Sequence, residues 1–330
     1  MPTMKAMVLE GFGTPAQFHL REVPLPALAP DEVLVQVMAT SVNPLDYQIG
    51  RGDYADQLPL PAIIGHDVSG VVVQVGSAAQ EFAPGDEVYY TPPIFGSAGS
   101  YAEYHAVPQA LVARKPRALT HFQAAALTLT GSTAWHALVE RAQLRAGETV
   151  LVHAGSGGVG SLSIQIAHAL GATAYATCRA EQAELVRGLG AEKTIDYLTD
   201  DYIARVAEFT GGAGVDVVID TIGGTAIQDA PQVLKPFGRV VSIVDIAQPQ
   251  NLLAAWGKNM TLHFVFVQQH RAPLEQVARL ADAGQLRPLV HSVLPLSHVA
   301  EAHALLARGG LTGKIVLDVA HGFDNEGTEN

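Results

Sequence analysis

The stretch 150-VLVHAGSGGVGSLSIQIAHALGA-172 decides the fold. A short apolar run breaks into glycines, and an apolar helical pattern follows at once. Gly155, Gly157 and Gly160 satisfy G-x-G-x-x-G, with Ser156, Gly158 and Val159 between them. Alone the pattern is weak. Here a strand precedes it, a helix opens inside it, and Gly171 marks the turn into a second strand, "TAYATC". In such a unit the first glycine makes a tight turn and the second lets backbone N–H groups approach a pyrophosphate. The third allows close helix–strand packing, and the helix N-terminus adds positive potential.

The second strand's end bears on the choice of dinucleotide. A ribose 2′-OH is usually met by an acid roughly 20 residues beyond the glycines. The sequence there reads "ATCRAEQ", without an acid at the strand end and with Arg179 following. A guanidinium fork suits a 2′-phosphate and favours NADPH. Glu181, two residues on, leaves NADH open, and Arg179 also reads as a solvated surface residue.

Outward from this unit, strands and helices alternate. "VDVVIDTI", "RVVSIVDI" and "MTLHFVFV" read as further strands, with a helix near "TAIQDAPQVLK". Their unbroken apolar character predicts a parallel sheet covered on both faces. Residues before about 126 are β-rich, in "MKAMVLE", "EVLVQVMATSV", "SGVVVQVG" and "DEVYYTP", punctuated by Pro and Gly. After "MTLHFVFV" come helices near "PLEQVARLADAG" and "SHVAEAHALLARG" and a closing strand "GKIVLDV". The expected fold class is α/β: a doubly wound cofactor domain over 127–267, with a β-rich domain from 1–126 and 268–330. The polar end "HGFDNEGTEN" reads as a frayed tail.

Composition narrows the function classes. Of 330 residues 48% are hydrophobic, enough for a sizeable core, and a net charge of −12 argues against nucleic-acid binding. No apolar run reaches membrane-spanning length, and the start lacks a signal-peptide core, so the expectation is a cytoplasmic protein without a membrane partner. One cysteine, Cys178, excludes an internal disulfide and a cysteine-rich zinc site.

Over nearly its whole length the chain resembles the medium-chain dehydrogenase/reductase superfamily. The resemblance rests on "VNPLDYQIGRGDY", "IIGHDVSGVVVQVG", "FAPGDEVY", "GSYAEY", "LTGSTAWHAL", the glycine stretch and "GKIVLDV". "VNPLDY" and the glycine stretch are similar to the zinc-independent quinone oxidoreductases, the zeta-crystallin group. The resemblance implies a Rossmann cofactor domain with a GroES-like catalytic domain. Zinc-dependent members hold their metal with Cys and His; here Asn43 stands at the first Cys position and His66, in "GHD", at the His position. Adjacent strand residues point to opposite faces, so His66 and Asp67 are not expected to share a ligand, and His66 reads as a packed or hydrogen-bonded remnant. A metal-free site suits hydride transfer to acceptors already electrophilic, such as quinones and enones.

The resemblance also implies site residues. Asn43, Asp46, Tyr47 and Tyr54 line the substrate cleft, with the Asn43 amide donating to substrate or nicotinamide and the tyrosines stacking on a flat acceptor; the same residues also read as turn and loop packing. No obligate acid or base is visible, which leaves protonation to solvent. Thr133 falls near the nicotinamide ribose and Tyr197 near the adenine ribose. Gly223, Ser242, Ile243, Phe264 and Phe266 wall the nicotinamide, and Lys314 joins the cofactor contacts. A homodimer is expected from the last apolar strand, an edge in need of a partner. Two rival readings stand beside the reductase: a zinc alcohol dehydrogenase with atypical ligands, and a non-catalytic, crystallin-like or redox-sensing NADPH binder.

Overall fold

The computed structural model describes residues 2–244 and 252–323, and within it the chain divides into two units. One gathers Met1–Leu129, Gln269–Asp282 and Pro288–Asn330; the other gathers Thr130–Gln268 and Ala283–Arg287. The short return at 283–287 has no counterpart in the sequence pattern. Gln165 accounts for it: its Nε2 donates to Arg287 O at 3.0 Å and its Oε1 accepts from Arg287 N at 2.9 Å.

The second unit is built on six parallel strands. Their order across the sheet is Ala191–Asp196, Thr173–Cys178, Thr149–Val152, Val215–Asp220, Leu234–Ser242 and Thr261–Phe264. This is the doubly wound Rossmann order, which reverses beside Thr149–Val152 and places a ligand crevice at the strands' carboxyl ends. Val150, Leu151, Val152, Val217, Val218, Ile219, Val240 and Val241 are all fully buried, which is why the central strands read as unbroken apolar runs.

The departures lie at the sheet's margins. Ala191–Asp196, "AEKTID", is an edge strand with exposed Glu192 and Lys193, so its pattern lacks an apolar run. At the other edge the strand in "MTLHFVFV" spans only Thr261–Phe264; Val265 N makes one more bond, to Ser242 O. The helix near "TAIQDAPQVLK" is cut to Ala226–Asp229, because Pro231 favours a 3-10 turn over Ala230–Gln232. The strand in "RVVSIVDI" ends at Ser242, and Asp245 and Ile246 lie outside the described residues, as does the tail beyond Phe323.

The first unit carries a seven-stranded sheet. Its order is Val290–Pro295, Lys314–Asp318, Glu32–Ser41, Val68–Val75, Glu87–Tyr90 and Ala113–Arg114, with Tyr104–Pro108 also on Glu32–Ser41. Pairing is antiparallel except between Val290–Pro295 and Lys314–Asp318. A separate antiparallel pair joins Thr3–Gly11 to Gln17–Pro24. The chain's return matters for the site: Val316 pairs with Ser41, which brings Lys314 beside Val42 and Asn43. Among the described residues no helix is long and apolar enough to cross a membrane.

Candidate active site

In the second unit the strand Thr149–Val152 leads into the glycine loop, and the helix Gly158–Ala169 begins inside the motif. The left-handed residue is Ala154, at φ 49°, so the turn is not made by the first glycine as its motif position predicts. Gly155 is required for space instead. A Cβ there would come within 2.7 Å of Ala176 Cβ and 2.9 Å of Ile164 Cδ1, and one on Gly160 within 2.2 Å of Ala154 O. Gly157 is the N-cap and has no side-chain cap bond. The first-turn N–H groups of Gly158, Val159 and Gly160 therefore present a helix N-terminus ready for an anion. Gly157, Gly158 and Val159 are half-buried while Gly155 and Gly160 are buried, so the loop opens at its second glycine. These features fit a dinucleotide pyrophosphate.

Beyond the second strand, Gln182 locks the loop in place. Its Oε1 accepts from Ser156 Oγ at 2.8 Å and from Arg179 N at 3.3 Å, so the Ser156 hydroxyl is committed within the protein. Arg179 Nε donates to Tyr197 Oη at 3.0 Å, and Glu181 lies 3.7 Å from Arg179 Nη1. The fold thus brings Arg179 and Tyr197 together at the carboxyl end of Thr173–Cys178. On the other side of the switch point Asp220 is fully buried, and it accepts from Ile222 N at 3.0 Å, Gly223 N at 2.9 Å and Ser242 Oγ at 2.8 Å. Gly223 and Ser242 are thereby tied to a carboxylate that no sequence motif singles out. Ile243 N donates to Asp220 O at 3.1 Å. Phe264 and Phe266 are exposed, and Thr133 is buried in the helix Thr128–Trp135.

The first unit holds a buried polar network. Asn43 caps the helix Pro44–Arg51, with Pro44 at its first position and Asp46 at its third, a start signal legible in "VNPLDY". Asp46 Oδ2 accepts from Asn43 N at 2.7 Å and from Asn43 Nδ2 at 3.1 Å. Asp46 Oδ1 lies 2.5 Å from His66 Nδ1, and His66 Nε2 lies 3.2 Å from Ile94 O. Both ring nitrogens face acceptors, so both carry hydrogen and His66 is an imidazolium. Burial pushes the Asp46 pKa up, but the His66 charge and hydrogen bond, with His303 and Lys314, carry it below its ordinary value. Burial pushes His66 down, and the charge and hydrogen bond of Asp46 reverse this and raise it.

Asp67 is the second hub. It accepts from Ser41 Oγ at 2.5 Å, Asn43 Nδ2 at 2.7 Å, Leu129 N at 2.8 Å and the Thr128 hydroxyl, and Lys314 Nζ stands 3.3 Å away. Lys314 also donates to Val42 O at 2.7 Å and to Asn43 Oδ1. His66 and Asp67 thus join one network. They precede the strand Val68–Val75, where the chain turns through Gly65 at φ 109°, so strand alternation does not govern them.

Two of the expected ligand contacts are engaged within the protein. The Asn43 amide has both hydrogens and its oxygen bonded inside the network, where it orders the two carboxylates. The Lys314 ammonium is buried against three oxygens of its own unit. Asp46 is fully buried and acts on Asn43 and His66. Tyr47 and Tyr54 are half-buried, Tyr47 with Arg51 over its ring at 5.4 Å and Tyr54 beside Phe95. No motif singles out Ser41 or Asp220, and the "GHD" motif that contains Asp67 does not reveal it as a hub. The available signal was an Asp and a Lys inside otherwise apolar runs, since such charges are rarely buried unless paired.

Residues 29–117 match a family described as alcohol dehydrogenase GroES-like domain, and residues 189–317 one described as zinc-binding dehydrogenase. The chain is 36% identical over 328 residues to an NADPH-dependent alkenal/one oxidoreductase, chloroplastic, from Arabidopsis thaliana, covering 95% of this chain and 79% of that one. It is 32% identical over 326 residues to a quinone oxidoreductase of Homo sapiens, covering 95% and 97%. The crystal structure of an alcohol dehydrogenase superfamily protein from Novosphingobium aromaticivorans aligns with TM-score 0.90 at 37% identity, over 96% of this chain and 99% of that one.

Proposed function

The chain belongs to the medium-chain dehydrogenase/reductase superfamily, and on that footing we propose that it is an NADPH-dependent, zinc-free oxidoreductase that reduces quinones or α,β-unsaturated carbonyls by hydride transfer. The observation that carries the zinc-free reading is the charge balance of the buried network. Two carboxylates, Asp46 and Asp67, are matched by two cations, imidazolium His66 and ammonium Lys314. A catalytic zinc asks for three protein ligands and an open position. Asn43 stands at the first ligand position with its oxygen on Lys314, the His66 nitrogens are both taken, and the lone thiol, Cys178, lies in the other unit. A divalent cation would have to enter beside two positive groups that already neutralise the acids.

The glycine loop supports nicotinamide dinucleotide binding. The backbone of Gly157, Gly158 and Val159 would hold the pyrophosphate, and Arg179 with Tyr197 would meet a 2′-phosphate. When bound, the reduced cofactor supplies the hydride. The protein's own task is then positioning. The network fixes the start of the helix that carries Tyr47, and Tyr47 and Tyr54 offer ring faces to a flat acceptor. A conjugated acceptor is electrophilic without a Lewis acid, so the absence of an open metal position does not bar the reaction. The named relatives, an alkenal/one and a quinone oxidoreductase, support the same substrate class. We further propose a cytoplasmic location.

The test is steady-state oxidation of NADPH with a panel of quinones and enones, run beside NADP-linked oxidation of primary alcohols. Reduction of the conjugated acceptors without alcohol oxidation is expected. Alcohol oxidation lost on chelation would instead select the zinc dehydrogenase. Tight NADPH binding with no turnover would select the non-catalytic binder.

A further inference from the structure

We propose that Phe95, paired with Tyr54, determines acceptor specificity, selecting flat ring-sized acceptors over short-chain ones; this rests on the reductase reading above. Tyr54 follows the helix that starts at Asn43, and Phe95 follows Ile94, whose carbonyl faces His66. Their ring centroids lie 5.6 Å apart with the planes at 47°. Both rings are half-buried.

What sets Phe95 apart is how its loop is held. After Phe95 the chain reads Gly96, Ser97, Ala98, Gly99, with almost no side chain to anchor it. Two buried imidazoles grip its backbone instead, one on each side of Phe95. His66 Nε2 bonds Ile94 O at 3.2 Å, and His105 Nε2 bonds Ala98 O at 2.8 Å. Gly99 N adds a bond to Ile63 O at 2.8 Å. His105 Nδ1 lies 2.9 Å from Tyr90 Oη. The carbonyl requires a hydrogen on Nε2, so a neutral His105 receives the tyrosine's hydrogen on Nδ1. Burial agrees with this by lowering its pKa to about 4.

A loop pinned through its backbone while its one large side chain stays half-exposed presents that side chain for contact. Phe95 is half-buried and not needed to fill the core, and its partner is a half-buried tyrosine just beyond the helix Pro44–Arg51. Two tilted rings form an apolar wedge that a planar conjugated ring satisfies by offset or edge-to-face contact. A three- or four-carbon enal has no ring with which to make it.

Wild type, Phe95→Ala, Phe95→Leu and Phe95→Trp are assayed with NADPH against 1,4-naphthoquinone and against crotonaldehyde. The ratio of kcat/KM for the quinone to that for the enal is expected to fall about 10-fold in Phe95→Ala, the size of one ring–ring contact. It should fall in Phe95→Leu as well, which keeps apolar bulk without a π face, and recover in Phe95→Trp. A ratio unmoved by Phe95→Ala in an enzyme that reduces both acceptors overturns this proposal alone. A wild type that reduces neither overturns it together with the reductase reading.

Discussion

Asp46 Oδ1 and His66 Nδ1 lie 2.5 Å apart with both side chains buried, which makes them an ion pair withdrawn from solvent. The Asp46 pKa is lowered from its ordinary 3.8, so its contribution to stability is present above that value and is lost as pH falls through the depressed pKa. The His66 pKa is raised from its ordinary 6.5, so its contribution is complete below 6.5 and is lost as pH rises through the raised pKa. The pair therefore stabilises most between the two ordinary values. Asp46→Asn leaves a buried cation without its partner and should cost about 3–5 kcal/mol near pH 6. The difference in Tm between wild type and variant should shrink from pH 6 to pH 9. A difference that stays constant over that range would mean that His66 does not carry the charge.

Arg179 and Tyr197 carry the cofactor prediction. A charge-assisted hydrogen bond to a 2′-phosphate is roughly twice as strong as a neutral one. Arg179→Ala should then weaken NADPH roughly 10- to 150-fold and leave NADH nearly unchanged. The measurement is the ratio of kcat/KM for the two cofactors. Equal losses with both would make Arg179 a support for the loop that Gln182 locks. No loss with either would move the selectivity elsewhere in the unit.

Where burial made residues apolar, the sequence was readable. The central strands of the parallel sheet are legible because both faces are covered, and the glycine motif is legible because Gly155 and Gly160 are sterically required. Its turn is not legible, since position in the motif does not reveal that Ala154 takes the left-handed conformation. The edge strand Ala191–Asp196 is not legible, because only Ala191 and Ile195 of its six residues are buried. The network was legible only in part. Asn43 and Asp46 lie in one motif, but Asp67 and Lys314 are far apart in the chain and meet only because Lys314–Asp318 pairs with Glu32–Ser41. The contacts that Asn43 and Lys314 make with one another follow from that pairing, while the family resemblance is what points either of them toward a ligand.

We propose a homodimer formed at the edge strand Thr261–Phe264. With four residues in the strand, length gives little support; exposure gives more. Phe264 is 59% and Phe266 62% exposed, while the opposite edge presents Glu192 and Lys193. A charged edge resists pairing and an apolar one invites it. Light scattering at micromolar concentration should give twice the chain mass, and Phe264→Lys should halve it. A monomeric wild type would overturn the assignment.

The last prediction concerns the metal. Lys314 Nζ lies 3.3 Å from Asp67 Oδ2 and also donates to Asn43 Oδ1, so the ammonium already occupies the acceptors that a cation in this network would use. Purified protein should carry far less than one zinc per chain by elemental analysis, and chelation should leave quinone reduction unchanged. Lys314→Met removes the positive charge while keeping an unbranched stem. It leaves Asp67 with the Ser41, Asn43, Thr128 and Leu129 donors but without its ion-pair partner, which should cost about 3–5 kcal/mol and lower Tm. Stoichiometric zinc, with activity lost to a chelator and restored by the metal, would show that the network rearranges to admit a cation and would end the zinc-free reading.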